Sequence, residues 1–400
     1  MEERHDTIVI GGGQAGLAMS AVLSDRGRDH VILERQRVGE RWRSERWNSL
    51  RFQFPNWSIE LPQLRHVTDD PDGFATAPEI LRLIEEYATN APVHEHTNVV
   101  TLEHDDDCFS VVTDAGALRA QQVVIATGPF QRPYVPAISS DLPTGILQTD
   151  PTRYRAPESL PDGGVLVVGS GASGTQIADE LLHAGRRVFL AVSRHRRVPR
   201  RFRGRDMYWW LDRMGRFAQT IDSFPDRTWP PSTVVTGVNG GYDVDVRRLA
   251  DAGIQVVGTV LGVTRDSVLT APNANAILDE ADAAYRTFVQ TARTLASTIE
   301  DELTDDDAVE PHTSAVPECS AIDLAREGIT TVVWATGYRY DYRWLKLPVL
   351  DGRGRPVQQR GVSPVPGLYF LGLHWMHTFK SGLLSGVGAD AEYLAGRIAD

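Results

Sequence analysis

The sequence predicts an α/β fold on three observations. The stretch "TIVIGGGQAG" (7–16) is an apolar run that stops at G-x-G-x-x-G, and "VLVVGSGASG" (165–174) repeats the device. A helical pattern and a further apolar run follow each copy, which is the order of a βαβ unit. The chain has 400 residues, and single cores stop growing at about 250–300 residues, so two domains suit it. Together these give two Rossmann-like dinucleotide-binding domains.

From the N-terminus the pattern reads strand 7–10, helix 14–26 and strand 30–34. A loop rich in Trp and Arg follows, "GERWRSERWNSLRFQFPNW" (39–57), then a helix at 78–90 and strands near 97–103, 108–113 and 122–126. A Pro-rich crossover, 129–161, leads to strand 164–168, helix 172–184 and strand 187–192. Aromatic and basic residues crowd 194–217, and residues 277–303 have helical spacing. Strands near 330–334 and 368–371 and a helix from about 382 to 398 close the chain.

Composition narrows the functional classes. Apolar residues make up 42% of the chain, and no stretch approaches the ~20 apolar residues of a membrane span. The charged opening "MEERHD" leads directly into a strand and leaves no room for a signal peptide. Cys108 and Cys319 are far apart and in no metal-ligand spacing, so a reducing cytoplasm is expected and no metal. A net charge of −12 argues against nucleic-acid binding.

Each glycine of the first copy has a role. Gly11 permits a tight turn, Gly13 lets a pyrophosphate approach the backbone, and Gly16 lets the helix pack on the strand. The helix N-terminus then favours phosphate charge. Glu34 ends the next strand at the expected distance of about 20 residues, where it can accept hydrogen bonds from a ribose or serve as a solvated strand end. The second copy places Gly169, Gly171 and Gly174 after "GVLVV", but its next strand ends in Ser193 and Arg194. An acid there would repel a 2′-phosphate, whereas Ser and Arg can bind one. Two different nucleotides follow, one with free ribose hydroxyls and the other NADPH. The seven arginines of "SRHRRVPRRFRGR" (193–205) favour an anionic ligand, with a solvated basic face as the alternative. Paired dinucleotide sites suggest a nicotinamide passing hydride to a flavin.

Further motifs carry a resemblance: "GERW" (39–42), "VVIATGPF" (123–130), "VVWATGY" (332–338) and "GLYFLGL…KSGLLSGVGADA" (367–391). Over nearly its whole length the chain resembles the flavin-containing monooxygenase superfamily. It is similar above all to plant YUCCA-type enzymes and to bacterial flavoproteins labelled for potassium transport. It also resembles methylamine-forming 4-methylaminobutanoate oxidases. The resemblance implies FAD and NADPH, with an FAD domain at 1–155 and 320–400 split around an NADPH domain at 156–319 that carries a helical insertion. It also implies that Gln14, Ala15, Arg35, Arg41, Val99 and Leu383 lie along FAD, with Trp42 beside the ring or in the core. Ser170 and Ser173 would join the second glycine loop. Thr127 and Gly128 would mark the crossing near FAD, and Thr336 and Gly337 the return near NADPH, unless either A-T-G is a plain strand exit. Ser381 and Gly382 open the last helix, whose positive end can stabilise reduced flavin or be simply capped.

The implied activity is oxygen transfer from a C4a-hydroperoxyflavin to a small nucleophilic, amine-type substrate, with O2 as co-substrate. Trp375 and His377, from "LHWMHTFK" (373–380), are candidates for the substrate cavity, with a structural His377 as the alternative. "MYWWLDRMGRF" (207–217) reads as an apolar lid or a surface-packed amphipathic helix, and arginines 200, 201, 203 and 205 as contacts for a substrate carboxylate or for NADPH. Two positions depart from the resembled pattern. Asp150 stands where many members have His, and Gln53-Phe54 where members often have Asn-Thr. Gln53 retains an amide that can hydrogen-bond a flavin hydroperoxide. The rivals are a flavin amine oxidase that makes H2O2 without NADPH and a non-catalytic flavin redox sensor. A disulfide reductase would need a cysteine pair, and neither cysteine has a near neighbour.

Overall fold

A computed structural model describes residues 3–105, 107–228, 233–299, 302–306 and 310–398. The run "TIVI" has no polar alternation, so it suits a strand buried on both faces. Its strand, Glu3–Ile10, lies between His30–Leu33 and Gly116–Ile125 and runs parallel to both. Val93–His94 and Leu368–Phe370 add further parallel strands, and Phe109–Thr113 and Val99–His104 complete the seven-stranded sheet as an antiparallel meander. The helices Gln14–Asp25 and Val387–Ile398 pack against each other over its core.

The second sheet is parallel throughout. Its order is Leu147–Thr149, Ile329–Trp334, Gly164–Val168, Val188–Ala191 and Gln255–Val257. Leu147–Thr149 and Ile329–Trp334 lie outside 156–319, so this sheet draws strands from both sides of the expected boundaries. The two connections between the sheets run side by side. Arg132–Pro133 pairs antiparallel with Tyr338–Arg339, and Tyr134 N–H donates to the Gly337 carbonyl at 2.8 Å. The helical insertion, Ala274–Ala296, buries Leu278, Ala281, Tyr285, Phe288 and Ala292, a helical stripe.

Two expectations are corrected. The last α-helix starts at Val387, not near 382, because Phe379–Gly382 forms a 3-10 turn and Leu383 returns to extended backbone (φ −98°, ψ 155°). No α-helical positive end is therefore presented at Ser381. The stretch 207–217 is not a free lid. Helix Met207–Arg213 buries Met207, Tyr208 and Trp210, and Asp206 caps it by accepting the Tyr208 N–H at 2.8 Å. No helix among the described residues is long and apolar enough to cross a membrane.

Candidate active-site cleft

The strand ends and glycine loop of the first sheet open on a cavity of about 780 Å³, within the range of roughly 300–1,000 Å³ usual for ligand sites. Gly11, Gly13, Gln14, Ala15, Glu34, Arg35, Arg41, Trp42, Gln53, Val99, Thr127, Gly128 and Leu383 line it. From the second half of the chain, Ser173 lines the same cavity, beside Ala172 and Gln176.

The first loop is shaped by close approach. A Cβ on Gly16 would fall 1.9 Å from the Gly11 carbonyl oxygen, and one on Gly11 would fall 2.6 Å from the Ala126 oxygen. Gly13 differs, because a Cβ there would meet nothing within 4 Å and would point into open space. Glu34 Oε2 accepts the Gly12 N–H at 2.7 Å and Oε1 the Gln36 N–H at 2.9 Å, so its carboxylate is fixed at the rim of the cavity. Gln14 Nε2 donates to the Gly382 carbonyl at 2.8 Å and ties the loop to the C-terminal turn.

On the far wall stand residues of the Trp- and Arg-rich loop. Arg41 reaches Glu45 at 2.5 Å and the Gln131 carbonyl at 3.1 Å, and burial holds its guanidinium below the ordinary value. Trp42 lies tilted against Phe52, ring centroids 6.4 Å apart, with the Arg46 guanidinium 5.0 Å from its ring. Gln53 is tied into the wall. Its Nε2 donates to the Thr233 and Val235 carbonyls at 3.2 and 3.4 Å. Asp150 is buried and holds a turn, with Oδ1 accepting the Thr152 N–H at 2.8 Å.

The second loop repeats the packing of the first. A Cβ on Gly174 would sit 1.9 Å from the Gly169 oxygen, and Gly171, like Gly13, faces open space. Ser170 is buried, and its Oγ accepts the Ser193 N–H at 3.1 Å, which pins the next strand's exit to the loop. Ser193 and Arg194 are exposed there. Thr336 and Gly337 sit at the crossover rather than on the cavity wall, with the Thr336 hydroxyl donating to the Tyr134 carbonyl.

Four arginines of the basic stretch make contacts within the fold. Arg197 is buried among Asp243, Asp245 and Asp282 at 2.9, 2.8 and 3.1 Å. Arg200 pairs with Asp206 at 2.8 Å, Arg201 donates to the Gly240 carbonyl at 2.8 Å, and Arg205 to that of Glu302 at 3.1 Å. Removing one partner from a buried ion pair costs about 3–5 kcal/mol, because the others stay uncompensated. Arg197→Ala should therefore lose about that much stability in urea unfolding, whereas Arg194→Ala should lose almost none.

Ser381, Trp375 and His377 do not reach the large cavity. Ser381 is buried, and its Oγ accepts the His377 and Thr378 N–H groups at 3.1 and 3.0 Å. The carbonyl of His377 accepts the Ile221 N–H at 2.8 Å, and its ring stands 3.8 Å from Asp390. Trp375 is buried edge-on to Phe224, centroids 5.0 Å apart, and lines a separate small cavity.

The chain is similar to known proteins along its full length. The family described as "Pyridine nucleotide-disulphide oxidoreductase" matches residues 8–212. An uncharacterized oxidoreductase, CzcO-like, of Geobacillus kaustophilus (strain HTA426) is 33% identical, over 98% of each chain. This chain belongs to the pyridine nucleotide-disulphide oxidoreductase family. A probable indole-3-pyruvate monooxygenase, YUCCA1, of Arabidopsis thaliana is 32% identical over 44% of each chain. A flavin-containing monooxygenase from Stenotrophomonas maltophilia shares the fold, with a TM-score of 0.69 at 19% identity over 99% of this chain and 98% of that one.

Cys108 is buried near Arg119, Cys319 bonds the Ala321 carbonyl at 3.0 Å, and neither lines the cavity. Sequence reasoning missed Gln131, which organises the crossing. Its Nε2 donates to Thr127 Oγ1 at 2.9 Å and the Gly128 carbonyl at 3.0 Å, and its Oε1 accepts the Asp341 N–H at 2.6 Å. Its place just after "ATGPF" was the available signal.

Proposed function

We propose that this chain is an NADPH-dependent flavin monooxygenase of a small nucleophilic, amine-type substrate. The observation that carries the reading is that residues of both glycine-motif segments, Gly13 and Ser173, line the same cavity. FAD fits the first segment, since the open space at Gly13 is a cradle that any side chain would fill. Gly11, Gly13 and Glu34 would hold its nucleotide end, with Arg41, Trp42, Val99 and Leu383 along the rest of the cleft. Bound there, FAD supplies acceptance of hydride from NADPH and activation of O2. Ser193 and Arg194, exposed beside the second loop, suit the 2′-phosphate of NADPH. Trp42, Phe52, Phe54 and Leu383 give the cleft an apolar stretch of wall. The free thiols fit a reducing cytoplasm, and the charge of −12 fits no nucleic-acid partner.

The Gln53 amide N–H groups point to backbone carbonyls, so this side chain is weakly placed to retain activated oxygen. Without substrate, NADPH consumption should release H2O2, and a true substrate should suppress the leak by drying the site. The test follows NADPH, peroxide and 18O incorporation from 18O2 while small amines are supplied. Label in the product supports the monooxygenase, and an amine oxidised stoichiometrically without NADPH replaces it with the oxidase.

A further inference from the structure

A second cavity, of about 90 Å³, adjoins the wall of the cleft. It forms where residues 196–198, the chain after helix Met207–Arg213 and the segment 375–379 meet, with Thr220 bridged to Thr378. Phe217, Phe224, Trp375 and Phe379 give it an apolar lining. Phe217 and Phe379 are stacked, 5.7 Å apart with 3° between planes. Two guanidinium groups, Arg196 and Arg216, complete the lining.

Those two cations set the cavity apart. Arg197 and Arg200, their neighbours in the basic stretch, are paired with aspartates. Among the described residues Arg196 and Arg216 have no acidic partner, and Arg196 Nε is buried with no hydrogen-bond partner. Burial, with Arg216 nearby, holds Arg196 below its ordinary value. Half-buried Arg196, with its Nε unpartnered, and exposed Arg216 stand together at the cavity, and their forked donors match a carboxylate.

We propose that this cavity is a separate site that binds the carboxylate of a small organic acid with a compact apolar tail. The two spaces share a wall: Gln53 of the cleft bonds the Thr233 carbonyl at 3.2 Å, and Phe54 meets Phe379 at 6.3 Å. A benzene-sized void is about 150 Å³, so the tail here is short and aliphatic rather than an aryl group. The cations also disfavour an ammonium in this cavity.

The test titrates the purified protein with isovalerate, isovaleramide and isopentylamine by calorimetry and Trp fluorescence. Isovalerate should bind at one site per chain, at least about tenfold more tightly than the amide or amine. R196Q should weaken isovalerate about 10–150-fold and leave the amide alone, and R196K should recover part of the loss. R216Q changes an exposed residue and gives a second reading should R196Q fold poorly. No isovalerate binding, equal binding of acid and amide, or isovalerate binding indifferent to both substitutions would overturn the proposal. A wild-type protein that binds isovalerate yet is not reduced by NADPH would instead overturn the monooxygenase reading alone.

Discussion

Replacing Gly13 with leucine should give a folded but colourless protein. The backbone at Gly13 is at φ −91° and ψ −173°, which any residue adopts, and its Cβ would meet no protein atom within 4 Å. The substitution is therefore tolerated by the fold and felt only by what enters the cavity. Forcing even one or two methylenes into an occupied space costs roughly 1–3 kcal/mol, and leucine adds four carbons where a pyrophosphate must approach the backbone. FAD affinity should fall by about 100-fold or more, seen as loss of flavin on purification with unfolding by heat little changed. Gly16→Ala is the contrasting control. Its Cβ would collide with the Gly11 oxygen at 1.9 Å, so it should lower stability as well as flavin content. Full flavin in the leucine variant would remove the first loop from the site.

Arg194→Ala should separate the two nicotinamide cofactors. Arg194 is exposed at the exit of the strand Val188–Ala191, and the neighbouring Ser193 backbone is pinned to Ser170. A charge-assisted hydrogen bond to phosphate is worth roughly 1.5–3 kcal/mol, so NADPH should bind about 10–150-fold more weakly. NADH has no 2′-phosphate, and its binding should barely change. Equal loss for both, measured by titrating each cofactor, would give Arg194 a general rather than a phosphate-reading role.

Local pattern revealed the glycine loops because their constraints are local. The positions of Gly11 and Gly16, and of Gly169 and Gly174, follow from backbone crowding within one βαβ unit. Partnership across the chain was invisible. Arg197 looked like its six neighbouring arginines in sequence, yet its aspartates lie 46, 48 and 85 residues away. Without those partners, a patch of charge and a buried ion-pair cluster read the same. Arg196 and Arg216, far apart in sequence and with no acidic partner among the described residues, became distinct only through the small cavity they line together. At the C-terminal segment, "KSGLLSGVGADA" supports either one helix or a turn followed by a helix. Hydrogen bonds back to Lys380 and from Ser381 decide for the turn. Trp375, expected at a substrate cavity, lines a small cavity separate from the one at the first glycine loop.

Both glycine loops serving one cleft is the central claim, and anaerobic addition of NADPH to the purified yellow protein tests it most directly. Hydride can pass only if the nicotinamide held by the second loop reaches the flavin held by the first. The absorption of oxidised flavin should disappear on about one equivalent of NADPH, more slowly with NADH, and return on admitting air. Flavin that stays oxidised in excess NADPH, yet is bleached by an amine alone, would contradict the account.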